Sequence, residues 1–277
     1  MTELDQFIDF NKTKAVKTIE TYKRMYKKIS EILGGNVSHF SQEKIIQLVN
    51  DKVENINTTQ ALLNVALLIR KMLGMSTNIL QAERKKNIEK VQKHTKEINE
   101  EKKEILPSLQ ELNEYTDYLY ENKLYSDYII NYLILNFFVR NEDLNFLLKL
   151  KKKDTIDTDF NYLWFDKRNK KVVFIRNNYK TASTYGHKKH TILDPKFFIA
   201  VKNLVAERKD IDNDKFIVND DGIGYHIIKS TFNGIGEGSY IKVIINDNLK
   251  KNNTDILKQI SQSRGTDIQT LINNYTL

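Results

Sequence analysis

Apolar residues recur at helical spacing along most of this chain, and strand-like runs are confined to one stretch near its middle. A first helix is predicted over 14–33, where apolar residues line one face and Gly34 provides a C-terminal stop. Ser41 is a favourable N-cap for a second helix, and Thr58 or Thr59 begins a third. The N-terminal part of the chain is therefore predicted to be entirely helical.

The next segment, 76–106, mixes both signs of charge at helical spacing, which is typical of a solvated connecting helix. Pro107 marks a boundary, and two further helices are predicted over 109–121 and 125–138. Pro195 begins another helix. The predicted domains are a helical domain, a charged helical connector and a second, mainly helical domain, at 1–75, 76–106 and 107–277.

Three strand-like runs lie in the second predicted domain, at 162–165, 171–176 and 190–193. Residues 166–170 form a polar turn that joins the first two runs as a hairpin. The predicted fold class is therefore mainly α with a small antiparallel β-sheet, an α+β protein.

The composition limits the chemistry that this chain can perform. The chain has no cysteine, which excludes disulfides, thiolate metal sites and cysteine nucleophiles. His187 and His190 lack a carboxylate or third histidine at ligand spacing, so we expect no metal. The 44 Lys and Arg exceed the 36 Asp and Glu, and the formal net charge of +8 is compatible with a phosphate-bearing partner. No apolar run is long enough to span a bilayer, so we expect a soluble, intracellular protein without membrane contact.

Three residues occur in an order that suggests chemistry on DNA. Arg140 follows an apolar helix, Lys180 lies in a loop between two strand-like runs, and Tyr275 ends a short helix that follows Gly265. Breaking a DNA phosphodiester with a tyrosine needs an aimed phenolate, cations that stabilise charge on the phosphate oxygens, and an acid for the leaving oxygen. The sequence offers a candidate for each of these roles.

These segments resemble the catalytic domain of the tyrosine recombinase and integrase family, of the kind found in viruses and mobile elements. Arg140–Leu144 resembles the family's first-arginine box. The hairpin that carries the family's lysine is matched by Tyr179–Thr181, Tyr185-Gly186 and His190–Leu193. Gly265-Thr266 with Tyr275 resembles the family's glycine turn before the tyrosine. It implies that the helices of 1–75 form a core-binding domain that clamps DNA. It also implies double-stranded DNA as partner, self-association as dimers or tetramers on DNA, and a reaction without a cofactor.

The resemblance assigns a role to each residue. Tyr275 would attack phosphorus to form a 3′-phosphotyrosyl bond, Arg140 would hold the phosphate, and Lys180 would protonate the leaving oxygen. Thr266 stands where the family has a histidine and would donate a hydrogen bond instead.

The family's central His-x-x-Arg box is degenerate in this chain. The segment from Ser239 to Lys242 matches it by its distance from Tyr275 and makes Lys242 the second phosphate-binding cation. A rival alignment begins at His226, keeps a histidine, and places Lys229 in that role. In both alignments a point-like ammonium replaces the planar fork of an arginine, which leaves open whether the site is active.

Other basic residues are candidates for DNA contact. Lys17, Arg24 and Lys28 form a stripe on the first predicted helix, opposite its apolar face. A helix that is basic on one side fits a DNA-binding surface and an ordinary amphipathic helix equally well. Lys188 and Lys189 extend the candidate set to the lysine-bearing hairpin.

Three functions therefore remain open from the sequence. The first is a site-specific DNA recombinase or integrase. The second is a catalytically inactive DNA-binding protein of the same fold, architectural or virion-associated. The third is a helical interaction protein with no nucleic-acid role. The first two would act in a host cytoplasm or nucleus, or within a virion if the source is viral.

Overall fold

The computed structural model describes residues 1–103, 105–208, 215–216 and 223–275. Within these ranges the chain forms thirteen α-helices and one four-stranded sheet, and it divides into two compact units, 1–98 and 99–277. None of the helices described there is long and apolar enough to cross a membrane. The predicted α+β class, mainly helical with a small sheet, is confirmed.

The first unit is built from helices that pack their apolar faces together. Its helices are α1 (Glu3–Phe10), α2 (Val16–Leu33), α3 (Gln42–Lys52), α4 (Ile56–Met72) and the first part of α5 (Asn78–Lys103). The Ser41 side chain caps α3 as predicted, because its Oγ accepts a hydrogen bond from the Lys44 N–H. Helix α4 begins earlier than predicted, because Asn55, rather than Thr58 or Thr59, is its N-cap. The boundary between the two units falls inside α5, which belongs to the predicted connector.

The second unit combines the remaining helices with the sheet. Its helices are α6 (Leu109–Glu121), α7 (Tyr125–Phe137), α8 (Ala182–Tyr185), α9 (Pro195–Glu207), α10 (Ile223–Ser230), α11 (Glu237–Lys250), α12 (Thr254–Arg264) and α13 (Ile268–Tyr275). Helices α7 and α9 bury residues such as Leu133 and Phe197 in the same core as Phe174 of the sheet. A smaller apolar cluster joins α11, α12 and α13 through Ile245, Ile260 and other residues.

The sheet has the strand order β1 (Phe146–Lys149), β2 (Asn161–Asp166), β3 (Lys171–Arg176) and β4 (Lys188–Ile192). Strands β2, β3 and β4 pair antiparallel, as predicted, and β2 and β3 meet at the turn expected over 166–170. The sequence missed β1, which pairs parallel with β2 and makes the sheet mixed rather than purely antiparallel. A parallel partner needs a longer connection than a hairpin and therefore carries no turn signal.

Candidate active site

Four basic side chains from separate segments gather around the last turn of α12. Arg140 follows α7, Arg176 ends β3, Lys188 begins β4, and Arg264 is the last residue of α12. Phe138, the C-cap that follows α7, has a left-handed backbone with φ of 54° and so turns the chain toward the site. We call Arg140, Arg176, Lys188 and Arg264 the basic cluster.

Arg140 reaches across the site with its half-buried guanidinium. Its Nη1 donates to the Arg264 carbonyl at 2.5 Å, and its Nη2 donates to Thr266 Oγ1 at 3.1 Å. Both acceptors are neutral, and no ion pair of the described residues gives Arg140 a carboxylate partner. Burial, followed by the nearby Arg264 charge, holds the pKa of Arg140 below its ordinary value. The charges of Asp143 and Glu237 act on Arg140 from a distance, and its guanidinium has no direct carboxylate contact among the described residues.

Arg264 is buried more deeply than Arg140, with 3% of its surface exposed. Its Nη1 contacts the carbonyls of Phe138 and Val139 at 3.4 and 3.3 Å and lies 2.5 Å from the Glu237 carboxylate. Its Nη2 donates to the Tyr275 hydroxyl at 3.3 Å. Among the described residues its Nε has no hydrogen-bond partner. Arg264 therefore connects the basic cluster to the tyrosine.

Tyr275 is held in place by the helix that carries it. The Asp267 carboxylate accepts the Thr270 N–H at 2.8 Å and so caps the start of α13. Buried Leu271 anchors α13 in the apolar cluster shared with α11 and α12. At the end of α13 the Tyr275 carbonyl accepts a hydrogen bond from Asn246 Nδ2 at 2.9 Å. The phenol ring lies 5.6 Å from the Arg264 guanidinium carbon, measured to the ring centroid.

Arg176 and Asp143 form a fully buried ion pair beneath the cluster. Arg176 Nη2 lies 2.5 Å from the Asp143 carboxylate, which also accepts the Arg140 backbone N–H at 2.8 Å. The same guanidinium donates to the Ser263 side chain at 2.9 Å and to the Ser263 carbonyl at 3.1 Å. These bonds fix the end of α12 relative to Arg140. Arg176 therefore serves as the scaffold of the cluster.

Lys188 places an ammonium at the same turn of α12. Its Nζ donates to the carbonyls of Gln262 and of Ser263, the latter at 3.2 Å. It also lies 5.0 and 5.7 Å from the ring centroids of Tyr179 and Tyr185. Burial, with Arg176 as the next cause, lowers the pKa of Lys188 to about 8. An ammonium with this pKa is protonated at neutral pH and releases its proton more readily than an ordinary lysine.

The neighbouring His190 is a half-buried imidazole beside two cations of the cluster. Burial, followed by the charges of Arg176 and Lys188, lowers the pKa of His190 to about 4. The imidazole is consequently neutral at neutral pH. Burial is the first cause of the lowered pKa of both Lys188 and His190, and the neighbouring Arg176 charge is the second.

The hairpin between β3 and β4 packs directly on the turn that ends α12. Gly265 has a φ of 57°, and a Cβ built there would lie 2.1 Å from Thr181 Oγ1 and 2.9 Å from Tyr185 Cδ2. Only glycine allows this approach, because any side chain would collide with the hairpin. The contact of Gly265 with Thr181 and Tyr185 therefore holds Arg264, which precedes the turn, close to Lys188, which follows the hairpin loop.

The structure brings together three of the five catalytic residues predicted from the sequence. Arg140 and Thr266 are hydrogen-bonded, and Tyr275 joins them through Arg264. These placements agree with the predicted constellation, while the chemical roles stay predictions.

The other two predicted catalytic residues lie elsewhere. Lys180 is exposed on the hairpin loop, and Lys188 is the lysine that enters the basic cluster. Lys242 donates to Asn99 Oδ1 on α5. Glu237 is the residue of α11 that meets Arg264, since positions 237 and 242 project in different directions from a helix.

The rival residue Lys229 is exposed at the end of α10, with its ammonium 4.1 Å from the Tyr225 ring centroid. The candidates for DNA contact, Lys17, Arg24, Lys28 and Lys189, are all exposed, and their contact with DNA stays a prediction.

Sequence reasoning missed Arg264 and the role of Lys188. Arg264 carries a usable signal, because it directly precedes the glycine turn that leads to Tyr275. In β4, Lys188 and His190 are half-buried and Lys189 between them is exposed, which is the alternation of a strand. That alternation would have separated the lysine facing the site from the one facing solvent.

The described residues thus place two arginines, a buried arginine–aspartate pair and a lysine close to a tyrosine hydroxyl. No protein-family model and no curated protein sequence matches the chain. Among solved structures, one described as the crystal structure of XerA recombinase aligns with 99% of this chain and 93% of its own, at 13% identity. Its TM-score is 0.39, and a likeness this low carries no argument about function.

Proposed function

We propose that this chain breaks and rejoins DNA as a site-specific recombinase or integrase, through a 3′-phosphotyrosyl intermediate formed by Tyr275. One observation carries the proposal: the Tyr275 hydroxyl accepts a hydrogen bond from Arg264, whose own carbonyl accepts one from Arg140. A tyrosine hydroxyl is therefore linked to one guanidinium directly and to a second through the Arg264 backbone. Attack on a phosphodiester needs a nucleophile with cations near it to stabilise the phosphate oxygens.

A named side chain performs each step of the proposed reaction. The Tyr275 oxygen attacks phosphorus and gives its proton to solvent, while the bond to the 5′-oxygen breaks. Arg140 and Arg264 stabilise the charge that grows on the non-bridging oxygens, and Thr266 orients Arg140. Lys188, with its lowered pKa, donates a proton to the leaving oxygen. The phosphotyrosyl bond conserves the energy of the broken linkage, so the return reaction needs no nucleotide.

Lys188 and Arg264 replace two residues of the sequence-based assignment. Lys180 and Lys242 were expected to supply the acid and the second phosphate contact. Lys188 suits the acid role better because it lies in the basic cluster, and Arg264 suits the phosphate role because a guanidinium offers two parallel donors.

DNA that carries a nick close to a candidate cleavage site tests the proposal. The short fragment released on cleavage diffuses away, so the protein stays trapped on the DNA. We expect a covalent adduct on a denaturing gel, and we expect Tyr275→Phe to abolish the adduct while retaining DNA binding. Tyr185→Phe is the matched control, because Tyr185 is an exposed tyrosine beside the same site. An adduct that persists in Tyr275→Phe would refute the assignment.

A second function, DNA binding without strand cleavage, is favoured by one observation. The Glu237 carboxylate lies 2.5 Å from Arg264 and offsets the charge of the arginine nearest the tyrosine. An architectural or virion-associated DNA-binding protein could keep the basic cluster and lose the chemistry. This function predicts salt-dependent DNA retardation on a native gel, the same in wild type and Tyr275→Phe, with no covalent adduct.

The partners follow from the proposed reaction. The substrate is double-stranded DNA, and pairing two sites requires two or more copies of the chain on DNA. The helices of the first unit, with Lys17, Arg24 and Lys28 exposed on α2, would supply the DNA-clamping surface. Association on DNA is measured by the mass of the complex in solution, with one copy per site expected.

A further inference from the structure

The two edges of the Arg264 guanidinium have different surroundings. Nη1 is occupied by the Phe138 and Val139 carbonyls and by the Glu237 carboxylate. The opposite edge, formed by Nε and Nη2, carries only the Tyr275 hydroxyl on Nη2, and Nε has no hydrogen-bond partner among the described residues. Nε and Nη2 form the side-on fork that binds two oxygens of one anion. An unsatisfied, fully buried donor is costly unless a ligand completes it.

Glu237 lies where it can determine which edge faces the tyrosine. It occupies the first turn of α11, where the helix N-terminus stabilises a negative charge, and its side chain is 12% exposed. Its Oε1 approaches Nη1, the nitrogen that is not part of the side-on fork. Among the described residues this oxygen has no aligned hydrogen-bond donor, and what ties it to Nη1 is the close approach of 2.5 Å between the two atoms.

We propose that Glu237 is a positioning residue that holds Nη1 of Arg264 and thereby turns the Nε–Nη2 edge toward a phosphate group at Tyr275. The assignment rests on the proposed function for its substrate, a phosphodiester, although the same edge would hold any small tetrahedral oxyanion. Without the carboxylate, Nη1 keeps two carbonyl contacts longer than 3.2 Å, which leave the guanidinium free to tilt. A tilt of this kind misplaces both fork donors relative to the attacking oxygen.

Two substitutions distinguish whether Glu237 acts by holding Nη1 of Arg264 in position or by its negative charge alone. Glu237→Gln keeps an oxygen that can accept from Nη1 but removes the negative charge. Glu237→Ala removes both. If position matters, the alanine variant forms the Tyr275 adduct about 10- to 100-fold more slowly at saturating DNA, and the glutamine variant recovers most of that loss. Asp247→Ala is the control, since Asp247 is an acidic residue of the same helix that pairs with Lys251.

A second readout does not depend on strand cleavage. In protein labelled with ¹⁵N-arginine, the Arg264 Nε–H resonance is followed while inorganic phosphate is added, and Arg264→Lys identifies the resonance. We expect phosphate to shift this resonance in wild type and in Glu237→Gln. In Glu237→Ala the apparent phosphate affinity at this resonance should fall several-fold, measured at a temperature where circular dichroism shows the variant to be folded.

The outcomes of the two readouts are distinguishable. An alanine variant that matches wild type in the phosphate titration overturns the positioning role, whether or not the wild type cleaves DNA. A glutamine variant as impaired as alanine, in both rate and titration, overturns it as well. If the wild type forms no adduct but the titration gives the expected order, strand cleavage is refuted and the positioning of Arg264 for an oxyanion stands.

Discussion

At the scale of single residues, the candidate site depends on the several hydrogen-bond donors that one guanidinium offers and an ammonium does not. Arg264 contacts two carbonyls, one carboxylate and the tyrosine hydroxyl at once, and its remaining donor is unsatisfied. A lysine has one nitrogen and could make only part of this set. The proposal of Arg264, rather than a lysine, in the second phosphate-binding role rests on this difference.

Arg264→Lys is expected to slow formation of the Tyr275 adduct by about 100- to 1000-fold, the usual loss for one preorganised donor to a transition-state oxygen. DNA affinity should change little, since the charge is conserved. Single-turnover gels on nicked DNA measure the rate. The control is Arg208→Lys, which alters another partly buried arginine that donates to the carbonyls of Lys215 and Phe216. Equal rates for Arg264→Lys and wild type would contradict the role of the fork.

Because of Lys188, the rate of DNA cleavage and the free energy of unfolding are expected to change in opposite directions as pH rises. As the acid it must be protonated, so cleavage should fall as pH rises through about 8. Its folded pKa lies below the unfolded value near 10.5, so between these values the unfolded chain binds more protons. The contribution of Lys188 to stability therefore rises with pH in that window.

Lys188→Met tests both halves of that prediction. The variant should lose the adduct, and at pH 7 it should be more stable than wild type toward urea. Its advantage should shrink by pH 9, where wild-type Lys188 is largely neutral in the folded protein. Lys189→Met and Lys180→Met are the controls, because both side chains are exposed. A larger loss of adduct in Lys180→Met than in Lys188→Met would restore the lysine that the sequence suggested.

At the scale of elements, the site is assembled by the ends of helices and by one hairpin. The α12 helix ends in a left-handed glycine against which the β3–β4 hairpin packs, and α13 begins immediately after that turn. The turn therefore sets the distance between Lys188 on the hairpin and Arg264 on α12. A change in the turn is expected to affect both residues together.

Gly265→Ala is expected to cost about 1–3 kcal/mol more in the free energy of unfolding than Gly34→Ala. Both glycines end a helix with positive φ, so both substitutions pay the same backbone penalty. A Cβ at Gly34 has nothing within 4 Å, whereas one at Gly265 collides with Thr181. Urea unfolding of the two variants measures the difference. Equal costs would show that the hairpin does not depend on this contact.

The elements differ in how far local sequence determines them. Helix α9 begins at Pro195 as predicted, because a proline at the first helical position is a local signal, and the Asp194 side chain caps that end. Strand β1 was missed because its pairing with β2 comes from distant residues and from a connection without turn residues. The predicted strand at 190–193 begins two residues earlier, and that extension is what contains Lys188.

At the scale of the whole molecule, the sequence predicted the class of fold and the order of its parts but only part of the site. Arg140, Thr266 and Tyr275 could be recognised because each lies beside a local signal, a helix end or a glycine turn. Arg264 and Glu237 meet only because α11 and α12 pack together, and periodicity gives no information about such pairings.

The net charge of +8 predicts DNA affinity that falls as salt is added. If α2 contacts phosphates, replacing Arg24 and Lys28 by Gln should reduce the slope of log affinity against log salt by about 2, since each phosphate contact contributes about 0.9. Fluorescence anisotropy with labelled duplex measures the slope. Lys251→Gln with Lys258→Gln is the control, because both lysines pair with neighbouring aspartates. An unchanged slope in the α2 variant would exclude this helix from the DNA interface.

The most direct test of the account is to identify the residue that becomes attached to DNA. The adduct formed on nicked duplex would be digested with nuclease and protease, and the modified peptide sequenced by mass spectrometry. The chain has 14 tyrosines, so the position is informative. We predict a nucleotide bound through its 3′-phosphate to Tyr275 alone. A nucleotide on another tyrosine, or DNA binding with no adduct under any condition of pH and salt, would contradict the proposed reaction.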